Sequence, residues 1–380
     1  MRGAPVLSGT AGALLSVLDA CLLTGFGGTT LQSLVVAGGI ATATVTSGGA
    51  FPPNAVVLLS GAAPTELNGE CRVLASTATS FTFATSAADG AATGTITVKI
   101  AGFGDAWEKR YGGTNKAVYR STDTLSAQHF LRVDDGADAR WARVAGYTAM
   151  TDVDTGTGLF PTAAQVTESR WLKSYVTSTA AIKWRLFADS RAFILAIAPG
   201  TSINAAYTAA PARGFGDPLP FDWAGDPWST FLSVQGSVVE TDLANGAIDS
   251  AYTAGATGAL ALSMDRAGAN VSPNGSVRTL TGGANVSGAS ATFGALANDA
   301  PNGRVITTPM LAFAPAADLR ARLPGVVHIP QTVGAAVADG DVLTGNSAAG
   351  ARLYKAVATG TRGQALPSGV YLVDITGPWR

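Results

Sequence analysis

Charge is scarce in this chain. Charged residues make up 13% of its 380 positions, against about a quarter in typical globular chains. The 25 Lys and Arg balance the 26 Asp and Glu, so no basic stripe is left to follow a phosphate backbone, and nucleic acid is excluded as a partner. Cysteine is nearly absent. Cys21 and Cys71 stand alone, fit neither a metal-ligand spacing nor a disulfide framework, and are expected to be buried free thiols. The only histidines are His129 and His328. With no Gly-x-Ser-x-Gly elbow, neither belongs to a recognisable catalytic triad, and both read as structural. No apolar run reaches the ~18–20 residues of a membrane-spanning helix. Residues 1–24 carry only Arg2 as a charged leader, are interrupted by Asp19, and lack an Ala-x-Ala site, which argues against a secretory signal. No heptad pattern supports a coiled-coil shaft.

Gly, Ala, Ser and Thr fill the places left by charge, and hydrophobic residues reach 47%. Near-zero net charge favours association. One reading is a surface largely covered by partner subunits. The other is an Ala-rich composition of genomic origin, since alanine counts as apolar but buries little.

Period-two alternation of apolar and Thr/Ser residues fills positions 36–98. It is cut by turn clusters at Gly48-Gly49, Pro52-Pro53-Asn54, Asn68-Gly69 and Asp89-Gly90, the pattern of short antiparallel strands. Ahead of it, 11–24 reads as a helix with Leu14, Leu15, Leu18, Cys21 and Leu22 on one face. Ser8 is its candidate N-cap and Gly25 its C′ residue. That face needs cover, either from its own chain or from a neighbouring subunit docked on Leu14, Leu15, Leu18 and Leu22. Glycines around Trp107–Tyr111 suggest a linker with one anchored turn. Strands are expected at Lys116–Ser121, His129–Asp134, Trp141–Tyr147, Ile182–Ala188, Phe193–Ala198 and Phe231–Ser237, with a hairpin turn at Asp189-Ser190-Arg191. A helix is expected at Pro161–Glu168. Weaker strand signals occur at Leu260–Met264, Ser276–Thr281 and Ala291–Phe293. They recover at Val305–Phe313, Val326–Ile329, Arg352–Val357 and Val370–Ile375, with a loop at Gly334–Gly350. The expected organisation is a helical segment (1–30), a small β module (31–100), an aromatic-rich β domain (101–240), a Gly/Ala/Ser-rich excursion (241–303) and a C-terminal β region (304–380). The fold class is mainly β, a multi-domain set of antiparallel sandwich or barrel modules with a short N-terminal helix.

Three segments carry a family resemblance. ATATVTSGGAFPPNAVVLLSGAAPTELNGECRVLASTATSFTFAT, with turns at Gly49–Phe51, Gly61–Pro64 and Leu67–Gly69, resembles a small β module recurrent in tailed-bacteriophage particles. Lys183–Pro199, followed by Gly214-Phe215-Gly216-Asp217, Asp222 and Asp226–Leu232, is similar to the centre of uncharacterised phage and prophage virion proteins. The ending Gly369–Arg380 (GVYLVDITGPWR) resembles a terminus of the same group. Together they span a little over a quarter of the chain. The resemblance implies a virion component and carries over no catalytic residue and no cofactor.

Candidate chemistry is thin. Asp217, Asp222 and Asp226 lie with Phe215, Phe221, Trp223 and Trp228 in a Gly/Pro-rich stretch at 211–228. Aromatic faces stack on sugars and carboxylates accept hydroxyl hydrogen bonds, so Asp217, Asp222, Trp223, Asp226 and Trp228 are the candidate glycan or partner contacts. The competing reading is a loop folded on its own aromatics, each Asp closing a turn. Asp152-Val153-Asp154-Thr155-Gly156 lacks the third acid and closing Glu of a calcium loop and reads as a turn. The sequence thus points to a non-enzymatic virion structural protein, oligomeric and bound to other virion proteins. Its expected place is tail tip, baseplate or adaptor, with the capsid surface or neck as one alternative and a host-surface glycan binder as the other.

Overall fold

A computed structural model describes residues 1–46, 51–164, 166, 169–198, 212–220, 228–235, 258–264, 269–279, 305–313, 319–329, 337–347, 350–359 and 369–380. Its architecture is mainly β with one short helix. Two compact units divide the chain: Met1–Val6 with Ser16–Asp105, and Leu7–Leu15 with Ala106–Arg380. The N-terminal segment therefore contributes to both, and the regions expected as separate domains after residue 101 belong to one unit.

The first unit closes on itself. Its strands are β1 (Phe26–Ala37), β2 (Ile40–Val45), β3 (Val56–Ser60), β4 (Gly69–Ser76), β5 (Ser80–Ala84), β6 (Gly90–Ala91) and β7 (Thr97–Ile100). Antiparallel pairing runs β1–β2–β5–β4–β3–β7 and back to β1, a six-stranded barrel with β6 added beside β1. Strand β1 makes closure possible. Its first half pairs with β7 (Phe26↔Ile100, Thr30↔Thr97), its second half with β2 (Leu31↔Val45, Ala37↔Ile40), and register shifts occur in both halves. Bulges of this kind bend a strand and raise its twist. Alternation sorts the side chains: Ala41, Ala43 and Val45 point inward with Phe81, Phe83, Val57, Leu59 and Val98, all almost wholly buried. Phe81 and Phe83 anchor this core: their rings stack at 6.2 Å, and Phe51 meets Phe81 edge-on at 5.4 Å. At the turn before β4, the Asn68 side chain accepts from the Ala62 amide and donates to the Ala62 carbonyl, both at 2.8 Å. Cys21 and Cys71 are free, and burial pushes both thiols up to about 12.

The second unit carries β8 (Trp107–Gly113), β9 (Lys116–Ser121), β10 (Phe130–Asp134), β11 (Trp141–Tyr147), β12 (Ala149–Met150), β13 (Gly156–Thr157), β14 (Arg170–Leu172), β15 (Lys183–Ala188), β16 (Ala192–Ala198), β17 (Ala212–Gly216), β18 (Leu219–Pro220) and β19 (Trp228–Gln235). After these come β20 (Gly258–Met264), β21 (Ala269–Thr279), β22 (Thr308–Phe313), β23 (Leu319–His328), β24 (Val342–Ser347), β25 (Gly350–Thr359) and β26 (Gly369–Asp374). Apart from the separate β12–β13 hairpin, these strands form one antiparallel system that closes as a barrel. Strand β19 is its junction, pairing with β14, β17 and β20. Continuous pairing from β19 through β20, β21, β22 and β23 joins the stretches expected as three domains.

Several elements differ from expectation. Trp107–Tyr111 is strand β8, because Trp107 is a core residue packed on Phe193 and Phe215. The loop expected at Gly334–Gly350 contains β24, paired in register with β25. The described residues of Pro161–Glu168 carry no helix, and the expected strand Ala291–Phe293 lies outside the described residues.

The N-terminal helix is present but shorter. Helix α1 (Ala13–Asp19) widens into a π-turn at Ala20–Thr24 and stops at Gly25, whose φ of 70° suits the C′ place expected for it. Ser8 is not its cap: the Ser8 hydroxyl meets Thr10 Oγ1, and the Leu14 amide donates instead to Asp135 Oδ2 at 2.8 Å. The docking reading of the helix requires correction. Leu14, Leu18 and Leu22 are fully buried and Leu15 nearly so. Their apolar face is covered within this chain, as the hydrophobic effect demands of a stripe beside an available core.

Candidate functional site

The expected glycan stretch resolves into one described carboxylate with a defined setting. Strand β17 ends at Gly216, where φ is 140° and a Cβ would lie 2.2 Å from the Arg191 carbonyl. That close approach lets the Asp217 amide donate to Arg191 O at 3.0 Å and turns the side chain inward. Asp217 is only 9% exposed. Its Oδ1 accepts from Ser126 Oγ at 3.1 Å and its Oδ2 from the Ala127 amide at 3.2 Å. Burial pushes the carboxyl up to about 6, against the opposing pull of Arg380, the two hydrogen bonds and Arg191.

Two further carboxylates border it. Asp123 Oδ2 accepts from Arg191 Nε at 2.8 Å and Ser190 Oγ at 2.7 Å, while its Oδ1 accepts from the Leu125 amide at 2.9 Å. The Arg191 hydrogen bond is the main cause that holds Asp123 down at about 2. Asp189 closes the β15–β16 turn as expected: its Oδ1 accepts from the Arg191 and Ala192 amides at 2.8 and 2.7 Å. Its Oδ2 accepts from Arg380 Nε at 2.9 Å, and Arg380 Nη2 donates to the Asp217 carbonyl at 3.0 Å. Three Asp and two Arg thus tie together the β15–β16 turn, the end of β17, the Thr122–Gln128 loop and Arg380.

Every oxygen named here has a backbone or side-chain donor. The arrangement holds a loop in place, and Asp217 acts within it by capping the distant Thr122–Gln128 loop rather than by closing a turn of its own. Asp222, Trp223 and Asp226 lie outside the described residues. Trp228 opens β19 through its backbone, and its side chain lies outside them too. His129 is buried, with Nδ1 2.8 Å from Thr230 Oγ1 and its ring beside Phe160. His328 sits in β23, paired with Thr308 and Tyr371. The Asp152–Gly156 run is a turn: Asp152 Oδ1 caps the amides of Asp154 and Thr155 at 2.7 and 2.8 Å, and Lys116 and Arg132 occupy Asp154. Among the described residues no cluster of His, Cys, Asp or Glu could hold a metal ion, and no helix is long and apolar enough to cross a membrane.

An exposed face of the first unit has the opposite character. Three cross-strand rows run over its outer wall: Ser33–Thr44–Ser80, Val35–Thr42–Thr82 and Ala37–Ile40–Ala84. None of these side chains is charged. Val35 is 43% and Ile40 38% exposed, and Leu74 on neighbouring β4 is 51% exposed. Sequence reading found the strands but missed this face, because it exists only once β1, β2 and β5 pair in this register. No protein-family model matches the chain, and no curated protein matches it.

Proposed function

We propose that this chain is a structural protein of a tailed-bacteriophage particle, tail-associated at the tip, baseplate or adaptor. It works without turnover, by subunit contact with copies of itself and with other particle proteins. The sequence resemblance supplies the setting. The observation that carries the mechanism is the uncharged outer face over β1, β2 and β5. A β surface of methyl and hydroxyl groups with no charge to desolvate can be covered at low cost, and symmetric repetition multiplies each contact. Placement on the capsid surface or neck uses the same chemistry. The host-glycan alternative rests on Asp222, Trp223 and Asp226, for which no described geometry speaks.

The test is mass spectrometry and cryo-EM of purified particles. The expected result is this chain at a fixed ratio to the other particle proteins, with density at the tail. Density at the neck or capsid would move its place, and absence from the particle would sink the reading.

A further inference from the structure

Asp135 and Lys173 are the most secluded charged pair among the described residues, with both side chains at 0% exposure and Lys173 Nζ against Asp135 Oδ1. Topology explains the meeting. Strands β10 and β14 both pair antiparallel with β11, so they run parallel to each other. Asp135 directly follows β10 and Lys173 directly follows β14, so both leave the sheet at the same end, with Lys173 two residues further along and roughly 12 Å away across one intervening strand. Two side chains of this length span that gap.

The hydrogen-bond inventory around the pair is the informative part. An ammonium carries three donors and a carboxylate accepts on both oxygens. Among the described residues Nζ has two acceptors, the Thr10 carbonyl at 2.8 Å and Asp135 Oδ1. From outside the pair the Leu14 amide donates to Oδ2 at 2.8 Å, and the Leu15 amide also donates to the carboxylate. Oδ1 meets Lys173. One acceptor for a single N–H, the Thr10 carbonyl, and a donor for a single C=O, the Leu14 amide on Oδ2, are what a secondary amide needs. Burial pushes the Asp135 carboxyl up toward its neutral acid form, against the pull of Lys173 and the two amides.

We propose that Lys173 and Asp135 condense into an intramolecular isopeptide bond. Proton transfer from the ammonium to the carboxylate leaves an amine and a carboxylic acid. The Nζ lone pair attacks Cγ while the Leu14 amide steadies the negative charge that develops on Oδ2. The Nζ–Cγ bond forms, the Cγ–Oδ1 bond breaks, and Oδ1 leaves as water with the acid proton and one amine proton. No oxidant, metal or second substrate is consumed. The product staples the ends of β10 and β14 across β11 and fixes the Thr10–Leu15 segment to the same point through the hydrogen bonds already present.

Intact-mass measurement of the folded full-length chain tests this. The expected mass is about 18 Da below the sequence value, the loss of one water. Proteolysis should then release one branched peptide joining the Asp135 and Lys173 segments. A folded protein at full sequence mass overturns the proposal. Asp135 precedes Gly136, so cyclisation of the aspartyl-glycyl backbone would lose the same mass without a cross-link. Lys173→Arg separates the two, because it keeps the positive charge but cannot form the amide. The expected variant has full mass, and a retained deficit with no branched peptide overturns the proposal. Should the variant fail to fold, the presence or absence of the branched peptide in the parent protein still decides.

Discussion

At the scale of single residues, burial and hydrogen bonding have driven two neighbouring carboxyls in opposite directions. Asp217 titrates at about 6 because it is buried, above the ~3.9 of a free Asp. The folded state therefore favours its protonated form. Its contribution to stability is full below the unfolded value and is lost as pH rises through about 6, a span of about 3 kcal/mol. Asp217→Asn keeps a neutral acceptor and donor in place. Urea unfolding from pH 4 to 8 should show stability falling in the parent and a flatter profile in the variant, and equal slopes would refute the assignment. Asp123, held down at about 2 chiefly by Arg191, behaves oppositely. Its contribution is present above the unfolded value and is lost as pH falls through about 2. Asp123→Asn should destabilise the protein at pH 7 and converge with the parent near pH 2. Gly216 sets the geometry that both share, since a Cβ there would strike the Arg191 carbonyl. Gly216→Ala should lower the melting temperature and raise amide exchange across Thr122–Gln128. Unchanged exchange would show that the turn does not depend on that approach.

At the scale of elements, patterning carried most of the assignment. Strands Lys116–Ser121 and Trp141–Tyr147 match their expected bounds: the second alternates a buried face with a more exposed one from Ala142 on, while the first buries Ala117, Val118 and Tyr119 in succession. Strand β8 was hidden by its glycines: Gly112 and Gly113 read as loop, yet Trp107 at the other end supplies the burial that holds the strand in the sheet. Strand β24, with its Gly345 and Asn346, forms through its hairpin ladder with β25, a pairing that single-residue propensity does not reveal. Helix α1 shows the same limit. Its apolar face was legible, but its cap comes from Asp135, 121 residues away. The face over β1, β2 and β5 yields its own prediction. Thr42→Glu places a carboxylate at its centre without touching the barrel interior. Stability should change by less than about 0.5 kcal/mol, while incorporation into particles should fall by about tenfold or more, since covering an unpaired charge is costly. Normal incorporation would remove that face from the contact.

At the scale of the whole molecule, the two units have separate cores. Leu34, Phe81, Phe83 and their neighbours form one, and Ile194, Phe231, Met310 and Tyr371 belong to another. Phe81→Ala should cost about 3–5 kcal/mol. The loss should appear in calorimetry as a downshift of one transition while a second stays in place. A single transition moving as a whole would contradict independent cores. The sequence alone determined that the chain is β-rich, that its alternation needs two-sided sheets, and that no metal or triad motif is written in it, because these depend on residue type and short spacing. Tertiary structure decided that the first sheet closes as a barrel, that the leucine face is already covered, that Asp217 is tied to a loop, and that Asp135 meets Lys173. Each of these depends on residues distant in the chain being brought together by strand register, and no local pattern encodes that register.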